Sequence, residues 1–186
     1  MKRVILAAVL TLAGCASPVA LNYYQLPAVN QSRQVLADAP QLYVAPVQVA
    51  SYLNGRGLVL QLSEVELVMA RQHLWAEPLA AQVQRQLRDL LSNSTAYATE
   101  LSARPGAVVL TVQLERFHGT AQGDAVLSGR YLLSSQAHSQ PFTIRVPLGA
   151  DGYPALVAAL AAGLQQLSQQ IAAGLKLADK TKRTDG

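Results

Sequence analysis

His73, His118 and His138 are the three histidines of the 186-residue chain, and none stands at motif spacing from a nucleophile or a second metal ligand. Ser128, in Leu-Ser-Gly-Arg, lacks the Gly-x-Ser-x-Gly frame that presents a serine for attack. Gly119, Gly123 and Gly129 are too scattered to cradle a phosphate, and the chain contains no Gly-Lys-Ser/Thr. Glu64 and Glu66 are two apart and would share one face of a strand, where like charges can raise one carboxyl pKa for acid–base work. The reading preferred for them is a solvated strand edge. These groups predict no enzyme, no metal and no cofactor. What remains is the single cysteine, Cys15, which has no partner for an internal disulfide.

The neighbours of Cys15 give it a role. Met1-Lys2-Arg3 is a positive start, Val4 to Leu12 an apolar run of nine, and Leu12-Ala13-Gly14-Cys15 closes the run with small residues, the pattern of a secretory signal over residues 1–14. A run of nine is too short to cross a hydrocarbon core as a helix, which takes about 20 residues. Leu-Ala-Gly-Cys resembles the bacterial lipobox, in which the cysteine thiol becomes a diacylglyceryl thioether before the chain is cut ahead of it. The new terminus then takes an N-acyl chain of the palmitate class. One acyl chain anchors a protein only marginally, whereas several hold it stably. In lipoproteins of Gram-negative bacteria an aspartate just after the cysteine signals retention in the inner membrane. By that resemblance Ala16 points to the inner leaflet of the outer membrane, with the domain facing the periplasm.

The formal charge of +4 and an isoelectric point near 9.4 suggest a nucleic-acid binder until the charges are placed. Lys2 and Arg3 lie in the signal, and Lys176, Lys180, Lys182 and Arg183 lie at the C-terminus beside Asp179 and Asp185. Between Cys15 and Leu175 nine arginines face nine acidic residues. A neutral body lacks the basic stripe that tracks phosphates. With 51% hydrophobic and 14% charged residues, the chain is expected to order one domain around a sizeable core.

The elements follow from periodicity. Residues 15–40, with Pro18, Pro27 and Pro40, read as a lipidated tether whose 25 or so residues reach at most about 80–90 Å. On that reach the body need not touch its own membrane, although Tyr23 or Tyr24 is expected to dock on it. Leu42 to Val49 alternates around Pro46 and predicts a bent or edge strand. The glycine-rich turn Tyr52–Gly57 follows, then strands over Leu58–Leu62 and Val65–Ala70. A helix should start near Glu77-Pro78 and run through Leu79, Val83, Leu87 and Leu91 to Ser92-Asn93-Ser94. Strands over Val108–Leu114, Asp124–Ser135 and Phe142–Pro147 predict a meander. From Asp151, apolar residues recur every three or four positions to Leu175, the strongest periodic signal in the chain. Its glutamine- and serine-rich polar face favours burial on a sheet over lying in a membrane interface, where lysine would be expected. The predicted fold is α+β, a two-layer sandwich with a largely antiparallel sheet and two helices packed on one face, over residues 41–178, with a charged tail over 179–186.

Three stretches carry a family resemblance: Asn22-Tyr23-Tyr24-Gln25-Leu26-Pro27 soon after the lipobox, Val44 to Leu53, and His73-Leu74-Trp75-Ala76-Glu77-Pro78-Leu79 opening a helix. In this order they resemble the PqiC (YmbA-type) ABC-transport auxiliary lipoproteins. Leu58 to Arg71 departs from the pattern, being mostly apolar where relatives are more polar. The resemblance implies an outer-membrane lipoprotein that partners a periplasmic MCE-domain protein (PqiB-like) and an inner-membrane PqiA-like protein in lipid transport and membrane integrity. Because MCE proteins form rings, it also implies that the auxiliary subunit would self-associate to match them. A neutral, tethered, non-catalytic domain works by binding, and the expected contact residues are Tyr52, Leu53, Trp75 and Glu77. Trp75 can equally cover the core beside the first helix, and Tyr52 and Leu53 can pack instead of bind. The alternative is a lipoprotein that itself carries a lipid, which needs an apolar cavity of several hundred Å³ between helices and sheet.

Overall fold

The computed structural model describes residues 20–30, 36 and 38–184, with side chains of the last helix to Leu177. Cys15, the signal segment and the charged groups of the tail lie outside the described residues and side chains.

Among the described residues one sheet gathers nine strands: β1 (Asn22–Tyr24), β2 (Gln41–Val44), β3 (Gln48–Val49), β4 (Gly57–Gln61), β5 (Leu67–Trp75), β6 (Ala98–Glu100), β7 (Val108–Thr120), β8 (Asp124–Leu133) and β9 (Gln140–Pro147). Helix α1 (Leu79–Ser94) joins β5 to β6, and α2 (Tyr153–Thr184) closes the chain. The fold class is the expected α+β. Pro46 divides the expected bent strand into β2 and β3, and α1 begins just after Pro78, as its ring geometry favours.

The sheet is mixed, with a division that follows chain connectivity. β7 is its spine. β8 runs antiparallel along one side of it and β9 antiparallel along β8, so the expected meander forms the longest ladders. The other side of β7 takes β2, β3 and β4 one after another, all parallel, and β6 and β1 add parallel pairings to β2 and β5. These strands are separated from their partners by α1 or by a long stretch of chain, and a crossover of that kind returns the chain in the same direction.

Two bulges re-aim side chains. In β7 the register shifts between Leu114 and Arg116. Leu110, Val112 and Leu114 face the core before the shift, and Phe117 faces it after, with Glu115 as the extra residue. The other bulge is at the base of the β4–β5 hairpin, where Gly57 pairs with Leu74 but Val59 already pairs with Met69. A Cβ on Gly57 would collide with the Ala70 carbonyl oxygen, so only glycine fits there.

The core lies between helices and sheet. Val83, Leu87 and Leu91 of α1 and Leu160, Leu164, Leu167 and Ile171 of α2 are almost wholly buried against Leu42, Leu110, Leu114, Leu127 and Leu133. Gly163 lets α2 press directly on the Leu127 side chain. The helices also touch each other, closing one continuous apolar layer.

β1 lies within the stretch expected to be tether. It pairs parallel with β5, Asn22 opposite His73 and Tyr24 opposite Trp75, so the free reach ends at Asn22 instead of near residue 40.

Candidate partner-docking surface

The four expected contact residues fall at the base of the β4–β5 hairpin. Tyr52 and Leu53 sit in a single 3₁₀ turn, Ser51–Asn54, between β3 and β4. Leu53 points inward and is 3% exposed. Tyr52 is half-buried, and its hydroxyl donates to the Glu115 carbonyl at 2.9 Å. Burial pushes its pKa up, and nearby Arg116 partly offsets the rise. Trp75 ends β5 at 3% exposed, its ring tilted against Phe117 with centroids 6.1 Å apart. Glu77, just before α1, forms a two-armed ion pair with Arg85 at the surface. The Arg85 hydrogen bond holds its carboxyl below the usual carboxylate range.

Arg56, not singled out in the sequence, ties the turn before β4 to the end of β5. Its carbonyl accepts from the Trp75 N–H at 2.7 Å, its Nε donates to the Trp75 carbonyl at 3.2 Å, and Nη2 donates to the Ala76 carbonyl at 2.9 Å. Its guanidinium also lies 5.5 Å from the centre of the Tyr23 ring. The hairpin base therefore presents Tyr52, Tyr23, Arg56 and the Glu77–Arg85 pair outward, over a buried Leu53 and Trp75.

Of the two tyrosines, one of which was expected to dock, Tyr24 packs on the domain, while Tyr23 is 55% exposed under the Arg56 guanidinium. The Tyr24 hydroxyl and His73 Nδ1 are hydrogen-bonded at 2.8 Å, and His73 stacks on Tyr153 at the start of α2 with ring centroids 4.0 Å apart. Two residues on, the Leu26 N–H donates to Gln82 Oε1 at 2.9 Å while the Leu26 side chain is buried. The tyrosines were visible in the sequence as aromatics in a polar stretch. Their partners, Arg56 for Tyr23 and His73 for Tyr24, lie 33 and 49 residues away and were not.

Two concavities flank β4. An apolar groove of about 200 Å³ is lined by Leu60, Gly119, Leu148, Gly152, Tyr153 and Leu156. A polar cleft of about 430 Å³ on the opposite face is lined by Gln61, Glu64, Arg116, Thr120, Gln122 and Arg145 among others. Arg116 donates to Ser128 Oγ at 2.8 Å, and Arg145 pairs with Asp124 at 3.7 Å. His118, buried close to both arginines, has its pKa lowered first by burial and then by their charges, against the opposing pull of a hydrogen bond to the Gly119 carbonyl. Among the described residues no three of His, Cys, Asp and Glu gather where they could hold a metal ion. No helix among them is long and apolar enough to cross a membrane.

Comparison with known proteins matches residues 24–172 to the family model of the ABC-type transport auxiliary lipoprotein component. The chain is 35% identical to the intermembrane transport lipoproteins PqiC of Escherichia coli K12 and of Shigella flexneri, in each case over 94% of this chain and 97% of the relative. A crystal structure of an uncharacterized protein superposes with a TM-score of 0.76 at 34% identity, over 84% of this chain and 99% of that one. A crystal structure of a Xanthomonas campestris protein shares the fold at 19% identity, with a TM-score of 0.64 over 88% and 99%.

Proposed function

The chain belongs to the ABC-type transport auxiliary lipoprotein component family and is a PqiC-like lipoprotein of intermembrane transport; from that premise we propose that it is a non-catalytic docking subunit. In this reading acyl chains on Cys15 fix it to the inner leaflet of the outer membrane, and the domain, facing the periplasm, receives an MCE-domain protein of the PqiB type. A PqiA-like protein completes the assembly at the inner membrane.

The observation that carries the reading is the similarity to PqiC over nearly the full length of both chains. The interior supports docking over carrying. The space between helices and sheet is filled by fully buried leucines and Phe117, and the apolar groove beside β4 is smaller than the roughly 300–1,000 Å³ of pockets that enclose small-molecule ligands. The hairpin base suits the contact, because Tyr52, Arg56 and Glu77 offer an aromatic hydroxyl and both charge signs on a backbone pinned by Leu53 and Trp75.

Affinity purification of the full-length lipoprotein from membranes, with mass spectrometry of co-purified proteins and lipids, tests the reading. Recovery of an MCE-domain protein, weakened by Tyr52→Ala with Glu77→Ala, is the expected result. One phospholipid per chain and no MCE protein would overturn it in favour of a lipid carrier.

A further inference from the structure

We propose that the tip of the β4–β5 hairpin is a second membrane contact, resting in the interfacial layer of the leaflet to which Cys15 is attached. The inference builds on the lipid attachment proposed above and adds to it the face of the domain that meets the bilayer.

Chain length and direction fix the geometry. Six residues separate Cys15 from Asn22, and their seven Cα-to-Cα steps put the anchor at most about 23–25 Å from the start of β1. Because β1 runs parallel to the end of β5, the N-terminal end of β1 points toward the start of β5, which is the hairpin tip. From His73, the partner of Asn22, back to Leu67 is six residues, about 20 Å along the strand. The thioether of Cys15 can thus extend to the level of the tip and at most a little beyond it.

The tip carries the surface such a position needs. Val65, at the turn, is 95% exposed, and Leu62, Val68 and Met69 are between 41% and 45% exposed. Val68 lies opposite Leu60 on the face toward the apolar groove, and Met69 lies opposite Val59 on the other face. Exposed apolar groups on both faces and at the turn do not suit a flat protein contact, which would cover one face. They suit end-on entry into a lipid surface. Glu64 and Glu66 flank Val65 and set the depth, since carboxylates stay at headgroup level and hold the hairpin out of the hydrocarbon. They also favour a zwitterionic surface over a strongly anionic one.

The test uses the full-length acylated protein in vesicles of phosphatidylethanolamine and phosphatidylcholine. With Cys15 consumed by acylation, Val65→Cys supplies a unique thiol for a polarity-sensitive fluorophore, and Leu101→Cys, 82% exposed beyond β6 at the far side of the sheet, supplies the reference. Mass spectrometry of the N-terminal peptide reports the attachment separately. The expected result is an acylated Cys15 together with a blue-shifted probe at position 65, quenched by a headgroup nitroxide lipid and shielded from aqueous iodide, while position 101 stays open to iodide. An acylated Cys15 with position 65 as open to iodide as position 101 overturns the inference and leaves the attachment standing. Shielding from both quenchers marks a protein partner at the tip and also overturns it. An unmodified Cys15 overturns the attachment, and the inference falls with it.

Discussion

The two ends of the β4–β5 hairpin are built from the same pair of strands and have opposite character. At the base, Trp75 is packed on Phe117, Arg56 bonds to the Trp75 and Ala76 carbonyls, and Gly57 sits in a bulge too tight for a side chain. At the tip, Val65 is almost fully in solvent and the neighbouring aliphatic side chains are only partly covered. Stability is concentrated where the hairpin joins the core, and the tip contributes little to it. Apolar side chains that the fold does not use for packing are free to serve a contact.

The largest effect expected from this contrast comes from Trp75→Ala, which empties a buried aromatic site and should cost about 3–5 kcal/mol of folding stability in a urea titration. Val65→Ser, measured alongside it, should stay within about 0.5 kcal/mol of the parent. Equal losses at the two positions would break the comparison. Gly57→Ala sharpens it by attacking the bulge itself: the new methyl meets the Ala70 carbonyl oxygen, and a loss of about 1–3 kcal/mol is expected by thermal or chemical unfolding. The smallest effect at the base belongs to Glu77→Gln, since its pair with Arg85 is largely exposed and screened, and about 0.5 kcal/mol or less should be lost at neutral pH. The folded Glu77 carboxyl is held below its ordinary pKa, so its contribution is present above that ordinary value and fades as pH falls through the folded one. Below that range parent and Glu77→Gln should be equally stable, as unfolding midpoints measured across acid pH would report.

Local pattern explains which parts of this architecture were legible in the sequence. The apolar period of α2, the Leu-x-x-x-Val-x-x-x-Leu face of α1 and the alternation of Val108 to Leu114 are properties of neighbouring residues, and they placed the helices and the start of β7. Beyond Leu114 the bulge at Glu115 reverses the phase of alternation, which hid the second half of β7. The bulge opposite Gly57 did the same to Ala70–Trp75, so β5 was expected to end five residues early. β1 and β6 are three residues each and exist through parallel pairing with distant strands, a relation that no local window contains. The candidate contact residues read from the sequence all fall at one end of the hairpin, its base. It could not tell that Leu53 turns inward from a glycine-rich turn, nor that Arg56 joins the turn to Trp75.

The pairing of β1 with β5 also has a consequence for binding strength. With Cys15 acylated as proposed, a leash of six residues would confine the hairpin tip to a thin shell above the bilayer, where an intramolecular contact works at an effective concentration of order millimolar. The tip can therefore hold the leaflet with an intrinsic affinity too weak to detect in a detached domain. Releasing β1 from the sheet would lengthen the leash as far as Leu26, which Gln82 still holds, and dilute that contact without altering a single residue of the hairpin.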